Sequence, residues 1–292
     1  MTNSPLPPFP ARPPFDWGTR TLVMGIVNAT PDSFSGDGIV ARSGDDPAAV
    51  AGAAVAQARR MVDEGADLLD VGGESTRPGH ARVDEATELA RVIPSIRAIR
   101  AALPAVTISV DTTRPAVAEA ALAAGATMLN DVWGVRTEAA MDRLAARHGA
   151  WLVLMHNRTA ARYDDVVVEV IADLRAAVDR ALAAGVPEAA ILVDPGFGFG
   201  KTAEHNLAVL RGLDALRALG RPILLGTSRK STIGRVLDLP VDQRLEGTLA
   251  TTALGIARGA DVVRVHDVLA NVRAARVADA VVRGWTDPEA PR

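Results

Sequence analysis

The chain has 292 residues, of which 48% are hydrophobic, and it carries a formal net charge of −3 at neutral pH. This length suits one large α/β domain, and the small acidic charge gives no field that would attract nucleic acid or an anionic membrane. The sequence has no cysteine, which excludes disulfides, thiol nucleophiles and thiolate metal sites. It also lacks a secretion signal and an uncharged apolar stretch of membrane-spanning length, so we expect a cytoplasmic protein.

The chain is expected to form a single domain with short extensions at both ends. Residues 1–19 are rich in proline, which favours extended backbone, and are predicted to be an N-terminal lead-in. The predicted domain covers residues 20–285, and residues 286–292 form a C-terminal tail. Eight short apolar runs within the domain predict strands at 21–27, 68–71, 106–110, 127–129, 151–155, 191–193, 223–225 and 262–265.

Helical sequence separates these runs, with apolar residues recurring on one face. The predicted helices are 47–64, 84–102, one opening at Pro115, 167–184, 204–219, 245–258 and 269–283, with a short extra helix at 229–237. Gly65, Gly125 and Gly259 each stand between a helix and a strand, where glycine supplies the left-handed conformation that ends a helix. Eight strands alternating with helices indicate an α/β fold of the (β/α)8 TIM-barrel type.

A polar residue follows each predicted strand closely. These residues are Asn28, Glu74, Asp111, Asn130, His156, Asp194, Ser228 and His266. In a TIM barrel the carboxyl ends of all strands meet on one face, where active sites lie. The sequence therefore predicts that these eight residues surround one basin.

Three of them are expected to form the floor of that basin. Asp111, Asn130 and Asp194 follow runs of Val, Ile and Leu, and a partly buried carboxylate needs hydrogen bonds. A flat ligand with several N–H donors, such as an aminopyrimidinone, would supply them. Two alternatives are a metal held by the two aspartates, which is disfavoured because no histidine lies in ligand spacing, and simple capping of the next helix.

Three other segments carry donors suited to an anion. They are Thr76 and Arg77 after strand two, residues 226–231 with Arg229 and Lys230, and Arg264 with His266 on strand eight. For Arg77 the alternative is a pair with a neighbouring carboxylate, and for Arg264 with His266 it is a charge pair with Asp261 or Asp267.

Two loops contain aromatic residues in a chain that is only 3% aromatic. Phe197 and Phe199 alternate with glycine in residues 194–201, which indicates a wall for a flat ligand or a plug over the barrel mouth. Phe34 belongs to the polar segment 28–35, which suits a mobile lid or an ordinary surface turn.

Taken together and in order, these segments resemble the dihydropteroate synthase family of pterin-binding TIM barrels. The matching segments are 28–35, 70–79, 109–112, 130–132, 194–201, 227–231 and 264–267. The resemblance covers nearly everything after Thr19. It implies a sulfonamide-target transferase of folate synthesis, which condenses (7,8-dihydropterin-6-yl)methyl diphosphate with 4-aminobenzoate and releases 7,8-dihydropteroate and diphosphate.

The resemblance also implies roles for single residues. Those for the pterin are Asp111, Asn130, Asp194 and Lys230. Those for the diphosphate are Asn28, Thr76, Arg77, Arg264 and His266, with Asn28 also a ligand of Mg²⁺. Those for 4-aminobenzoate are Phe34, Pro78, Phe199, Lys230 and Ser231. The catalytic set is Asp111, Lys230, Arg264 and His266, and the family implies a homodimer.

The chemistry expected of these residues is an SN1-like loss of diphosphate. Cations and Mg²⁺ would stabilise the leaving group while Asp111 faces the developing pterin cation. A methyltetrahydrofolate methyltransferase type of barrel would share the floor but would not need residues 228–230 or the pair of Arg264 and His266. A non-catalytic pterin-binding relative is expected to lose Asn28, Lys230 or Arg264. Residues 155–158 depart from the usual family pattern, so His156 receives no role.

Overall fold

Eight parallel strands form one curved sheet in the computed structural model, which describes residues 15–30, 47–74, 83–136 and 138–286. The strands are β1 (Leu22–Asn28), β2 (Leu68–Gly72), β3 (Thr107–Asp111), β4 (Met128–Asp131), β5 (Trp151–Met155), β6 (Ile191–Asp194), β7 (Leu224–Leu225) and β8 (Val262–Val265). Their order around the sheet is β6-β5-β4-β3-β2-β1-β8-β7. A bridge between Val193 and Ile223 joins β6 to β7 and nearly closes the barrel. The predicted (β/α)8 fold is confirmed.

Helices connect successive strands and cover the outside of the barrel. In the described residues the α-helices are α1 (Pro47–Asp63), α2 (Glu85–Ala102), α3 (Pro115–Ala124), α4 (Ala140–His148), α5 (Val166–Ala183), α6 (Ala203–Arg211), α7 (Ser231–Leu237), α8 (Leu245–Ala257) and α9 (Val268–Arg283). Short 3₁₀ helices occupy Glu188–Ala190, Leu213–Leu219 and Val241–Gln243. Within these ranges no helix is long and apolar enough to cross a membrane.

The strands are apolar because they are covered on both faces. Every residue of β2, β5 and β6 is buried, as expected for a parallel sheet enclosed by helices. At the amino end of β5, Trp151 contacts Phe15 and Trp17 with ring centroids 6.0 Å apart in both pairs. Part of the predicted lead-in therefore packs on the barrel, while the boundaries at 19/20 and 285/286 stay predictions.

The helices differ from the sequence prediction in two places. α4 was not predicted, and it carries few large apolar residues, chiefly the buried Met141 and Leu144. The predicted helix 204–219 is divided at Gly212 into α6 and the 3₁₀ helix Leu213–Leu219. Glycine weakens a helix interior, and the buried leucines that follow recur every third residue, which matches the three-residue turn of a 3₁₀ helix.

The three predicted turns between helix and strand are confirmed. Gly65, Gly125 and Gly259 have φ values of 102°, 113° and 95°, which side chains other than glycine rarely adopt. Each turn brings the chain from the outer helix layer back to the amino end of a strand. The opposite, carboxyl end of each strand then opens into the longer loops that carry the polar residues.

Candidate active site

The carboxyl ends of the first four strands place the predicted residues side by side. In the parallel register Asn28 pairs with Gly72, Gly72 with Asp111, and Asp111 with Asn130. On the other side of the barrel, the His156 amide donates to the Asp194 carbonyl at 2.9 Å. The predicted residues Phe34, Thr76, Arg77 and Pro78 lie outside the described part of the chain.

A buried network of charged and polar groups joins four strands at this end. Arg264 on β8 donates from Nε to Oδ2 of Asp70 at 2.6 Å and from Nη2 to Oδ2 of Asp111 at 2.8 Å. The Nδ2 atom of Asn130 donates to the same Asp70 oxygen at 3.0 Å. The structure thus brings Asp111, Asn130 and Arg264 together through a carboxylate that the sequence analysis did not select.

Four polar atoms beside this network are buried without a hydrogen-bond partner. They are Oδ1 of Asp70, Oγ of Ser109, Oδ1 of Asp111 and Oδ1 of Asn130. Ser109 pairs in register with Asp70 and belongs to the same strand as Asp111. Buried polar atoms nearly always have a partner, so a group of four points to a bound ligand or ordered water. Three acceptors and one hydroxyl suit a ligand that presents N–H groups.

Burial changes the acid–base properties of the two floor aspartates. It raises the pKa of Asp111 to about 7, helped by the nearby carboxylate of Asp70 and opposed by the charge of Arg264. Burial also raises the pKa of Asp194, against the charge of Lys230 and the hydrogen bond from the Gly196 amide. Neutral pH therefore lies close to the titration of Asp111.

Neither floor aspartate caps a helix. The Gly196 amide donates to Oδ1 of Asp194 at 2.7 Å, and the residue that caps α6 is Thr202. The N-cap of α3 is Arg114. The capping alternative is therefore wrong for both positions.

Lys230 lies against the loop between β6 and α6. Its Nζ atom donates to the Phe197 carbonyl and is 4.5 Å from the centre of the Phe199 ring, a cation–π contact. Phe199 is half-buried. Phe197 is fully buried in the core, so the prediction of two aromatic wall residues is wrong for this one. Phe197 packs within the hydrophobic core, which leaves Phe199 as the aromatic surface here.

Side-chain contacts join the segments that follow β7 and β8. Ser228 Oγ lies 2.9 Å from His266 Nδ1. Arg229, which has a left-handed φ of 56°, pairs with Asp267 at 2.9 and 2.5 Å. Asp267 pairs with Arg229, and Arg264 donates to the carboxylates of Asp70 and Asp111. The predicted alternative of a pair between Arg264 and Asp261 or Asp267 is therefore wrong.

The remaining predicted residues lie at the rim. Asn28 is half-buried at the end of β1, and Ser231 is exposed as the first residue of α7. Among the residues that the structure describes, no group of three or more His, Cys, Asp or Glu side chains could hold a metal. The oxygen of Asn28 is thus an isolated candidate ligand.

Sequence reasoning did not select Asp70 and Lys201 as site residues, and it gave His156 no role. Asp70 interrupts an apolar strand, a signal that could have been noticed. Lys201 and His156 contact each other, with 2.8 Å between Nζ and Nδ1. Lys201 also carried a signal, because only two of the 32 lysine and arginine residues of the chain are lysines, and the other one is Lys230.

Comparison with known proteins shows the family of the chain. The model of the pterin-binding enzyme family matches residues 24–266. The dihydropteroate synthase of Clostridium beijerinckii is 47% identical over 92% of this chain and 97% of its own, and that of Mycobacterium leprae is 46% identical over 88% and 92%. The chain belongs to the dihydropteroate synthase family.

Solved structures of the family agree with the fold as well. The chain superimposes on the dihydropteroate synthase of Clostridium difficile, crystallised in the presence of pteroic acid, with a TM-score of 0.85 at 48% identity, covering 92% of this chain and 99% of the other. The enzyme of Xanthomonas albilineans with 4-aminobenzoic acid gives a TM-score of 0.81 at 46% identity, with coverages of 90% and 93%. Family membership makes this chain a transferase of folate synthesis.

Proposed function

We propose that this chain condenses (7,8-dihydropterin-6-yl)methyl diphosphate with 4-aminobenzoate to give 7,8-dihydropteroate and diphosphate. The observation that carries the proposal is the group of four unpartnered polar atoms on β2, β3 and β4. The Xanthomonas albilineans relative has been crystallised with 4-aminobenzoic acid and with 7,8-dihydropteroate, which are one substrate and the product of the proposed reaction.

The pterin would lie on the floor formed by Asp111, Asn130 and Asp194. Its amino group and ring N–H groups would donate to the buried oxygens, and a buried acceptor that gains a donor recovers about 1–3 kcal/mol. Lys230 contacts the Phe197 carbonyl and the Phe199 ring, its charge acts on Asp194, and it would contact a ring acceptor. The floor therefore selects a flat heterocycle by its hydrogen-bonding edge.

The diphosphate would lie nearer the rim, above Arg264 and His266. Arg264 is held by two carboxylates at 2.6 and 2.8 Å, and it would favour the negative charge that appears as the diphosphate departs. Asn28, Thr76 and Arg77 complete the proposed set. The first is at the end of β1, and the other two follow β2 in the sequence.

4-Aminobenzoate would approach from the side of α7. Lys230 and Ser231 would bind its carboxylate, and Phe199 would contact one face of its ring. Phe34 and Pro78 are proposed to flank the ring as well. The half-buried Phe199 beside an ammonium suits a ligand that is aromatic and anionic at once.

Mg²⁺ is proposed as the cofactor, and the donor set fits it. Magnesium prefers oxygen ligands and usually takes few from protein when a substrate phosphate supplies others. Asn28 would provide the protein oxygen. When bound, Mg²⁺ would neutralise part of the charge on the diphosphate.

The proposed reaction needs no strong base. The bond between the pterin methylene carbon and the diphosphate oxygen breaks first, and its electron pair leaves with the diphosphate. Asp111 would stabilise the resulting pterin cation, and Arg264 with His266 the leaving group. The amine of 4-aminobenzoate then forms the new C–N bond and releases its proton to water.

Turnover by the purified chain tests this proposal. With pterin diphosphate, 4-aminobenzoate and Mg²⁺, we expect dihydropteroate and diphosphate in equal amounts, and no dihydropteroate when the pterin lacks its diphosphate. Asp111→Asn is expected to lower kcat/KM about 100-fold or more, as for a group that stabilises developing charge. Absence of product from the wild-type chain would contradict the proposal.

A homodimer is proposed for the working enzyme. α8 and α9 pack together and expose large apolar side chains, with Leu254 57%, Val277 67% and Val281 80% exposed. An apolar face of this kind suits a second copy of the chain. The cytoplasmic location stays a prediction.

A further inference from the structure

Lys201 ends the glycine-rich loop between β6 and α6, which we call the β6 loop (residues 194–201). Its ammonium lies within hydrogen-bonding distance of three acceptors. These are the carbonyl oxygens of Gly196 and Phe199, both at 3.1 Å, and Nδ1 of His156 at 2.8 Å. An ammonium has three N–H donors and no acceptor, so each donor has one partner.

The same loop is pressed against the segment that follows β5. Gly196 and Gly200 have positive φ values of 68° and 55°. A methyl group on Gly196 would collide with the His156 carbonyl, and one on Gly200 with the backbone of Arg158. Lys201 joins the loop to the segment after β5, because its ammonium contacts two loop carbonyls and the ring of His156.

The β6 loop in turn holds the pterin-facing groups. Its Gly196 amide donates to Asp194, its Phe197 carbonyl accepts from Lys230, and its Phe199 ring lies beneath the Lys230 ammonium. All three groups belong to residues 196–199, and Lys201 contacts the carbonyl oxygens of the first and last of these residues. A change in the loop backbone would therefore move Asp194, Lys230 and Phe199 together.

We propose that Lys201 is a positioning residue for the pterin, acting through the β6 loop. Its ammonium fixes the loop against His156 and so keeps Asp194 and Lys230 in place. The inference rests on the proposed function, since it concerns the binding of that substrate. Lys201 itself touches no reacting atom.

His156 serves as the fixed end of this contact. Its side chain is fully buried, and Nε2 lies 3.1 Å from Oδ2 of Asp173 on α5. Burial, with Lys201 nearby, lowers the pKa of His156 to about 4, against the charge of Asp173. The ring is therefore neutral at pH 7, with a proton on Nε2 directed to Asp173 and a lone pair on Nδ1 directed to Lys201.

The charge of Lys201 is sensitive to pH in the working range. Burial lowers its pKa to about 7, and the cations Lys230 and Arg158 act in the same direction. The carboxylates of Asp194 and Asp173 oppose them. Loss of the proton leaves two donors for three acceptors, so the loop is held less firmly above the pKa than below it.

The composition of the chain allows the loss of the Lys201 proton to be observed directly. Lys201 and Lys230 are its only lysines, so a protein grown with ¹³Cε-lysine gives two lysine signals, which the variants Lys201→Met and Lys230→Met assign. We expect the Lys201 signal to titrate near pH 7, far below the ordinary value of about 10.4.

Kinetics of three variants then test the role. Lys201→Met is expected to lower kcat/KM for the pterin diphosphate at least tenfold, mainly through KM. Arg211→Met removes an exposed cation of α6 and should stay within twofold of wild type. Lys201→Arg keeps donors and charge, so it should regain part of the lost kcat/KM. Because titration of Asp111 affects both proteins alike, the readout is the ratio of wild-type to Lys201→Arg kcat/KM, which should fall between pH 6 and pH 9 as Lys201 loses its proton.

The outcomes separate this inference from the proposed function. A wild-type chain that forms no dihydropteroate overturns both. If the wild type is active, the inference alone is overturned by Lys201→Met with kcat/KM within twofold of wild type, or by a ratio of wild-type to Lys201→Arg kcat/KM that stays constant between pH 6 and pH 9. The second comparison decides the matter even if Lys201→Met fails to fold.

Discussion

The properties of the site depend first on a few buried side chains. Asp70 is fully buried, and it accepts from both Arg264 and Asn130. Asp70 thereby orients the guanidinium of Arg264 and the side-chain amide of Asn130, both of which belong to the proposed substrate site. Removing one member of such a buried charge pair leaves the other uncompensated, which commonly costs about 3–5 kcal/mol. These groups are coupled, and none acts alone.

The raised pKa of Asp111 leads to a prediction for stability. The folded protein has a pKa of about 7 at this carboxyl, above the ordinary value of about 3.9. Between these values the folded state holds a proton that the unfolded chain has released. The stabilisation is therefore complete below pH 4 and is lost as pH rises through 7.

Asp111→Asn should remove this dependence. Unfolding by urea at pH 5 and pH 8, without ligands, should show wild-type stability falling by up to roughly 2 kcal/mol more than that of the variant. Asp214→Asn, at an exposed position, should follow the wild type. A variant Asp111→Asn with the wild-type change between the two pH values would contradict the assigned pKa.

At the scale of elements, the strands were predictable and some connections were not. Short runs of Val, Ile and Leu mark buried parallel strands, and β5 and β8 were predicted with the observed bounds. α4 was missed because it is only nine residues long and mostly polar, although its buried residues Met141, Leu144 and Ala145 do recur at helical spacing. The break at Gly212 depends on how three leucines pack beneath it, which no local pattern reveals.

The β6 loop gives a prediction at this scale. Gly196→Ala combines a left-handed φ with a collision against the His156 carbonyl. Gly220→Ala has a similar φ of 63° but open space around the new methyl group. We expect Gly220→Ala to cost about 1 kcal/mol of unfolding free energy, and Gly196→Ala clearly more, together with at least a tenfold loss of kcat/KM. Equal effects of the two substitutions on both measurements would contradict the close contact between the loop and β5.

At the scale of the whole molecule, strand order alone placed the proposed site. Asp111, Asn130 and Arg264 are distant in sequence and joined in space, as the barrel predicts. Their mutual contacts through Asp70, and the contact of Lys201 with His156, arise from tertiary packing. The sequence could indicate which residues face the basin, but it could not indicate which of them bond to each other.

The proposed homodimer gives a prediction for the assembled molecule. Val281→Glu puts a charge on the apolar face of α8 and α9 and should shift the chain from dimer to monomer at micromolar concentration. Val168→Glu changes a valine on α5 that is 61% exposed and should leave the dimer intact. Light scattering during gel filtration measures both. A monomeric wild type, or a dimer unaffected by Val281→Glu, would contradict this choice of interface.

Binding of the pterin diphosphate, measured by calorimetry without 4-aminobenzoate, tests the central claim most directly. The claim is that the unpartnered side-chain oxygens of β2, β3 and β4 recognise the N–H edge of the pterin. We predict that Asn130→Ala and Asp111→Asn each weaken binding at least tenfold, which corresponds to about 1.4 kcal/mol, while Arg211→Met binds as the wild type does. Equal affinity in all four proteins would contradict the claim.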